Sequence, residues 1–323
     1  MIPRFTYLRP ASLREAIQML ASPGAHLHAG GTDLIGCLRD GVFAADRVVS
    51  MTGLPGMRGI ERSSDGGLRI GALTTLAEIE RHPVVRNEYA ALALAARSAA
   101  SPQLRNQGTI GGNVCQRPRC WYFRGDFLCL RKGGTACFAA DGQNQFHCIF
   151  GGDGCCIVHP SDTAPALTAL GASVRVSGPK GDRSIPMESF FVLPREDVTR
   201  ENVLDPGEIL TELLLPRPAA DGRSFYRKAR ARGAWDFALA GAAVTCRLLD
   251  GKVEQARIVL SGVAPIPWRC IEAEKVLAGR SIDDESASAV AEACTKGARP
   301  LARNEYKVRL VRGVVRETLL ALR

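Results

Sequence analysis

Short alternating segments and helix-spaced runs follow one another along the chain. Ser12-Leu13-Arg14-Glu15 has the capping-box pattern and opens an amphipathic run to about Leu20. Ala25 to Ala29 alternates as a short strand and runs into Gly30-Gly31. Arg47 to Ser50 and Leu68 to Gly71 predict further strands. Thr75-Leu76-Ala77-Glu78 is a second capping box, and Asn87 to Ala99 an Ala/Leu helix. A Gly/Asn/Gln stretch over 101–114 reads as a loop. Asp162 to Leu170 predicts a short helix, and Ser173 to Ser177 and Ile209 to Leu215 predict strands.

Pro216-Arg217-Pro218 and the following Ala-Ala-Asp-Gly form the best linker, and the pattern changes beyond it. Phe237 to Leu249 and Val253 to Val263 are long strand candidates joined at Asp250-Gly251, a hairpin signal. Helical runs follow at about 268–278, 284–297 and 303–322. This pattern predicts a domain over 1–217 and a smaller α+β domain over 222–323. No internal repeat stands out.

The chain has 323 residues, 46% of them hydrophobic and 23% charged, which excludes a disordered, collagen-like or coiled-coil protein. No apolar stretch is long enough to predict a membrane helix, and the start lacks the layout of a secretory signal. A cytoplasmic protein is expected, with co-export beside a signal-bearing partner as the alternative. The net charge of +9 is spread along the chain without interleaved stacking aromatics, so no nucleic-acid partner is expected.

Eleven cysteines change the picture: seven fall between positions 115 and 156. An odd count in a large chain without a signal argues against a disulfide framework. The 115–156 stretch has little periodicity and many glycines, so a bound metal or cluster is the expected source of order. From Cys120 the spacing runs through Cys129, Cys137, Cys148 and Cys155 in steps of 9, 8, 11 and 7, without a close knuckle pair, which disfavours a zinc ribbon. Four thiolates and no paired histidine favour an iron–sulfur cluster. None of the five histidines pairs with a cysteine or an acid at metal-ligand spacing, and no acid/base pair or nucleophile triad can be assembled, so no catalytic residue is expected.

Two glycine loops carry the other chemistry. Ala29-Gly30-Gly31-Thr32-Asp33-Leu34 and Thr109-Ile110-Gly111-Gly112-Asn113 both let backbone N–H groups approach a diphosphate without an intervening Cβ. Neither is the GxGxxG of a Rossmann fold. AGGTDL, RNQGTIGGN and HPSDTAPAL together resemble the FAD-binding subunit or domain of the molybdenum hydroxylases. The likeness extends to VAPIPWRCIEAEKVLAG and PLARNEYKVRLVRGVV at the end of the chain.

The resemblance implies an α+β protein with the two-subdomain FAD-binding fold of the vanillyl-alcohol-oxidase/PCMH type, plus a small α+β C-terminal domain. It implies that Ala29, Gly30, Gly31, Thr32, Asp33 and Leu34 hold the FAD pyrophosphate, with His26, Leu27 and His28 leading into them. Thr109, Gly111, Gly112 and Asn113 would form the second wall, Asp162 would contact the adenosine part, and Ile209, Leu210 and Lys228 would lie beside the flavin. The chain departs from the simplest members by carrying extra residues between Asn113 and Asp162. In the insert, over about 115–156, the chain resembles members whose flavin subunit holds an extra [4Fe-4S] cluster. That likeness implies Cys120, Cys129 and Cys137 as ligands, with Cys155 preferred to Cys148 as the fourth. A molybdenum-cofactor large subunit, a [2Fe-2S] small subunit and an external electron acceptor are the implied partners. A stand-alone FAD-dependent reductase of a soluble metabolite is the alternative.

Overall fold

The apolar pair Val48-Val49 lies in Arg47–Ser50, the middle strand of a three-stranded parallel sheet, between Thr6–Leu8 and Ala25–His28. The computed structural model describes residues 2–323. Parallel neighbours require crossovers, and the helices Leu13–Leu20 and Leu34–Arg39 provide them. At the first helix the Ser12 hydroxyl accepts from the Glu15 N–H, while the Glu15 carboxylate takes the N–H of Ala11. At Thr75 the capping box is complete.

A five-stranded antiparallel sheet follows, ordered Ile60–Arg62, Leu68–Gly71, Ile209–Leu215, Ser173–Gly178, Gly181–Pro186. Its buried face, with Ile70, Val174, Val176 and Leu213, joins Leu92 and Ala96 of the helix Ala90–Ser98 in the main core. The sequence predicts one helix from Asn87, but the chain forms Pro83–Glu88 and Ala90–Ser98, separated at Tyr89. Residues 101–114, expected as a loop, hold two short helices, Pro102–Gln107 and Ile110–Val114, capped by Ser101 and Thr109.

The last hundred residues build a four-stranded antiparallel sheet, ordered Trp268–Arg269, Lys252–Ser261, Ala240–Leu249, Gly222–Ala229. Asp250 and Gly251 both have positive φ, +50° and +74°, as a tight right-twisting hairpin turn demands. The helices Ile271–Leu277, Asp284–Ala293 and Tyr306–Leu320 pack on this sheet through a second core containing Val244, Leu260, Val290 and Val315. The cysteine-rich stretch has only the short turns Trp121–Arg124 and Leu130–Lys132. Its end is nevertheless fixed: Ile149 and Phe150 are buried in the second core, and Phe150 stacks on Trp268.

Candidate functional site

The strand Ala25–His28 ends at Ala29-Gly30-Gly31, and the chain turns there into the helix Leu34–Arg39. Gly31 sits at φ +72°, and a Cβ on Gly30 would lie 1.9 Å from the Gln107 carbonyl oxygen. Only glycine permits that approach of the first loop to the backbone of the second. In the second loop the Thr109 hydroxyl accepts from the Gly112 N–H at 3.2 Å, and Gly111 packs against Ala72.

Between the loops lies a cavity of about 310 Å³, whose lining includes Thr32, Asp33, Thr109, Gly112, Asn113 and Asp162. The Asn113 side-chain carbonyl accepts from the Ser161 and Thr163 hydroxyls, each at 2.6 Å, which fixes the amide plane. Asp162 receives Lys228 Nζ and the Tyr226 hydroxyl, each at 2.7 Å. Burial raises the pKa of the Asp162 carboxyl, and the Lys228 ammonium opposes the rise.

Charged side chains cluster at the floor of the site. Asp33 binds the guanidinium groups of Arg119 at 3.0 Å and Arg124 at 2.7 Å, and Glu201 binds those of Arg117 and Arg131. Four cations share two carboxylates in this cluster; Arg119 and Asp33 of it line the cavity, together with Arg232, Asp162 and Asp236. Burial lowers the pKa of Arg119, which lines the cavity.

The predicted residues divide into groups. Thr32, Asp33, Thr109, Gly112, Asn113 and Asp162 share the cavity, Gly30, Gly31 and Gly111 shape its turns, and Lys228 stands behind Asp162. His26 faces away, stacked on Phe43 and bonded to the Ala44 carbonyl. Ala29, Leu27, His28 and Leu34 do not line the cavity: Leu27 packs against the main core, Leu34 against Leu38 and Val48, and His28 against Tyr7. Ile209 and Leu210 are in the main core and do not line the cavity.

Cys120, Cys129, Cys137 and Cys155 line one small cavity, together with Cys156 and His147. Cys148 is outside that lining, packed on Ala139 and Cys156. No histidine stands at metal-ligand spacing from a cysteine along the chain, yet the fold brings His147 Nε2 to 3.2 Å from Cys120 Sγ. The two are 27 positions apart, so local spacing carried no signal of the contact. Hydrogen bonds from Cys155 and Cys156 lower the pKa of Cys137, whereas burial pushes Cys120 up to about 11. Among the described residues no three His, Cys, Asp or Glu side chains stand close enough to hold a single metal ion. A third cavity, of about 140 Å³, is lined by Cys120 and His147 of the cage and by Arg119 and Phe237 of the glycine-loop cavity.

Residues 3–218 match the family described as the FAD binding domain in molybdopterin dehydrogenase, and residues 224–322 the CO dehydrogenase flavoprotein C-terminal domain. The chain belongs to this flavoprotein family. It is 36% identical to the aldehyde oxidoreductase FAD-binding subunit PaoB of Escherichia coli, over 99% of this chain and 98% of the relative. It is 29% identical to the carbon monoxide dehydrogenase medium chain of Hydrogenophaga pseudoflava, over 90% and 86% of the two chains. A solved carbon monoxide dehydrogenase from H. pseudoflava superimposes with a TM-score of 0.80 at 28% identity, covering 100% of this chain and 98% of that one. The mixed α/β fold of an FAD-binding domain followed by a C-terminal domain is therefore that of the family.

Sequence reasoning missed the segment of this flavoprotein that closes the cavity mouth. Arg232, Trp235, Asp236 and Phe237 line it from beyond the linker. The Trp235 N–H donates to the Ala100 carbonyl at 3.2 Å, and both residues have positive φ, +53° and +47°. The positive φ of two non-glycine residues has no signature in the sequence.

The buried pair makes a direct prediction. Lys228→Met leaves the Asp162 carboxylate buried without its cation, both side chains being 5% exposed or less. A loss of about 3–5 kcal/mol is expected, read as a lower Tm by calorimetry. An unchanged Tm would mean that Asp162 is not held as a buried anion.

Proposed function

We propose that this subunit carries FAD in the cavity between the glycine loops and a [4Fe-4S] cluster in the cysteine cage. It receives electrons from a molybdenum-cofactor large subunit and a [2Fe-2S] small subunit and delivers them to an external acceptor. The complex is of the aldehyde oxidoreductase/xanthine dehydrogenase type, with residues 1–217 and 222–323 as the two domains of this subunit. The observation that carries the reading is adjacency: one cavity shares lining residues with both the glycine-loop site and the cage.

The donor types suit both groups, and the cage space itself is about 10 Å³ with no three donors, among the described residues, gathered round one point. A diphosphate needs donors, close backbone approach and a cation, and the Thr109 hydroxyl, Gly30 and Arg119 meet those needs, with Gly112 leaving room beside them. A cubane needs four thiolates brought together by a wrapping loop, and Cys120, Cys129, Cys137 and Cys155 are four thiols facing one space. When bound, FAD supplies exchange between two-electron and one-electron chemistry, and the cluster supplies one-electron transfer. The chain's own part is to bind, orient and exclude water. Asp162, held by Lys228 and Tyr226, keeps a buried polar wall in place, and Asn113 is locked by Ser161 and Thr163.

Purified anaerobically, the chain is expected to show flavin bands over a broad charge-transfer absorption. Alone it should not reduce its flavin with aldehydes or purines, because no acid/base set faces an organic substrate. After chemical reduction it should still pass electrons to an artificial acceptor. Substrate-driven flavin reduction should return when the molybdenum and [2Fe-2S] subunits are added. Flavin reduction of the lone chain by an organic substrate at turnover rates would support the stand-alone reductase instead.

A further inference from the structure

Lys307 has no exposed surface, although it is the second residue of the helix Tyr306–Leu320. Its ammonium donates to the Gly262 carbonyl at 2.7 Å and the Phe146 carbonyl at 2.9 Å. No carboxylate partners it among the described residues. The neighbouring Asn304, also without exposed surface, donates through Nδ2 to the carbonyls of His147 and Cys148, each at 3.0 Å. Three successive carbonyls of the cysteine insert, at 146, 147 and 148, are thus taken by two side chains from the C-terminal region. His147 is the residue whose ring rests on Cys120 Sγ.

An isolated buried ammonium is costly, and two carbonyl dipoles do not neutralise it. Other ionisable groups nearby do not supply the missing negative charge. Arg131, which bears on Cys155, is already paired with Glu201. Burial pulls Lys307 down to about 7, and the opposing influence comes from the Cys148 thiol. The ammonium stands on the backbone next to His147, which lines the cage, where four thiolates around an iron–sulfur core would be anionic.

We propose that Lys307 is a positioning residue for the cage and a counter-charge to it, holding the insert backbone and favouring the more negative, reduced state of the group bound there. The inference rests on the reading that the cage holds a [4Fe-4S] cluster.

Lys307→Gln tests it, because glutamine keeps two N–H donors and removes the charge. The full chain, assembled with its partner subunits and purified anaerobically, is analysed for iron, sulfide and FAD, and its centres are titrated by EPR-monitored potentiometry. The expected variant keeps FAD and iron, and the midpoint of the cage cluster falls while that of the [2Fe-2S] centre stays. Iron retained at an unchanged midpoint would overturn the counter-charge role. If Lys307→Gln loses iron, Lys307→Arg decides: iron regained with the charge supports the proposal, and iron lost again overturns it in favour of shape alone. Wild-type protein with FAD but without iron would instead remove the cluster reading itself, and the inference with it.

Discussion

Gly30→Ala is expected to purify with little FAD. A methyl group there would meet the Gln107 carbonyl oxygen at 1.9 Å and its carbon at 2.7 Å. These are backbone atoms, so no side chain can swing away and the two loops must separate. Overpacking of this kind costs about 1–3 kcal/mol, roughly a 5- to 150-fold loss of affinity if it falls on the bound state. Flavin absorbance per chain after desalting, followed by FAD titration of the apoprotein, measures it. Gly112→Val is the companion experiment, with a different physical cause. Its Cβ would meet only the Thr109 hydroxyl, at 3.0 Å, so the added side chain occupies the cavity without moving the loops. Gly30→Ala should therefore lower both the apoprotein Tm and FAD occupancy, and Gly112→Val mainly the occupancy. Stoichiometric FAD in both variants would take the glycine loops out of the site.

Cys129→Ser is expected to lose most of its iron and keep most of its FAD. Cys129 lines the cage and not the glycine-loop cavity. A hydroxyl is a poor replacement for a thiolate on iron, and a cubane needs one thiolate per iron, about four in all. The fourth ligand is open to the same assay. Cys155→Ser should lose iron and Cys148→Ser should retain it, since Cys155 faces the shared space and Cys148 packs against Ala139. The reverse pattern would move the ligand to Cys148. Iron lost only from Cys156→Ser would assign the role to that neighbour, which also lines the cage.

Local chemistry was legible in the sequence wherever a short motif carries its own constraint. Paired glycines marked Gly30, where the approach of the Gln107 backbone excludes any Cβ. Thr75 and Glu78 announced a helix start that the fold contains in full. Asp250-Gly251 announced a turn because both residues tolerate positive φ. The 101–114 stretch was read as a loop, yet Ser101-Pro102 and Thr109 were cap signals for helices too short for periodicity to reveal. What stayed hidden is long-range. Nothing near Phe237 says that it covers a cavity built more than a hundred residues earlier. Nothing near His147 says that its ring meets Cys120. Ile209 and Leu210 illustrate the opposite limit, since a strand beside a ligand can have side chains that only fill the core.

The grip of Asn304 and Lys307 on residues 146–148 also sets an order of events during synthesis. Both glycine loops, and every cysteine of the insert, leave the ribosome before the residues that fasten the insert. Lys307 follows Cys148 by 159 positions, roughly 8–32 s of translation at about 5–20 residues per second. Until then the carbonyls at 146–148 lack their partners. The nascent chain can therefore shape its nucleotide-binding half while still attached. Residues 146–148 are therefore fastened only on an almost finished polypeptide.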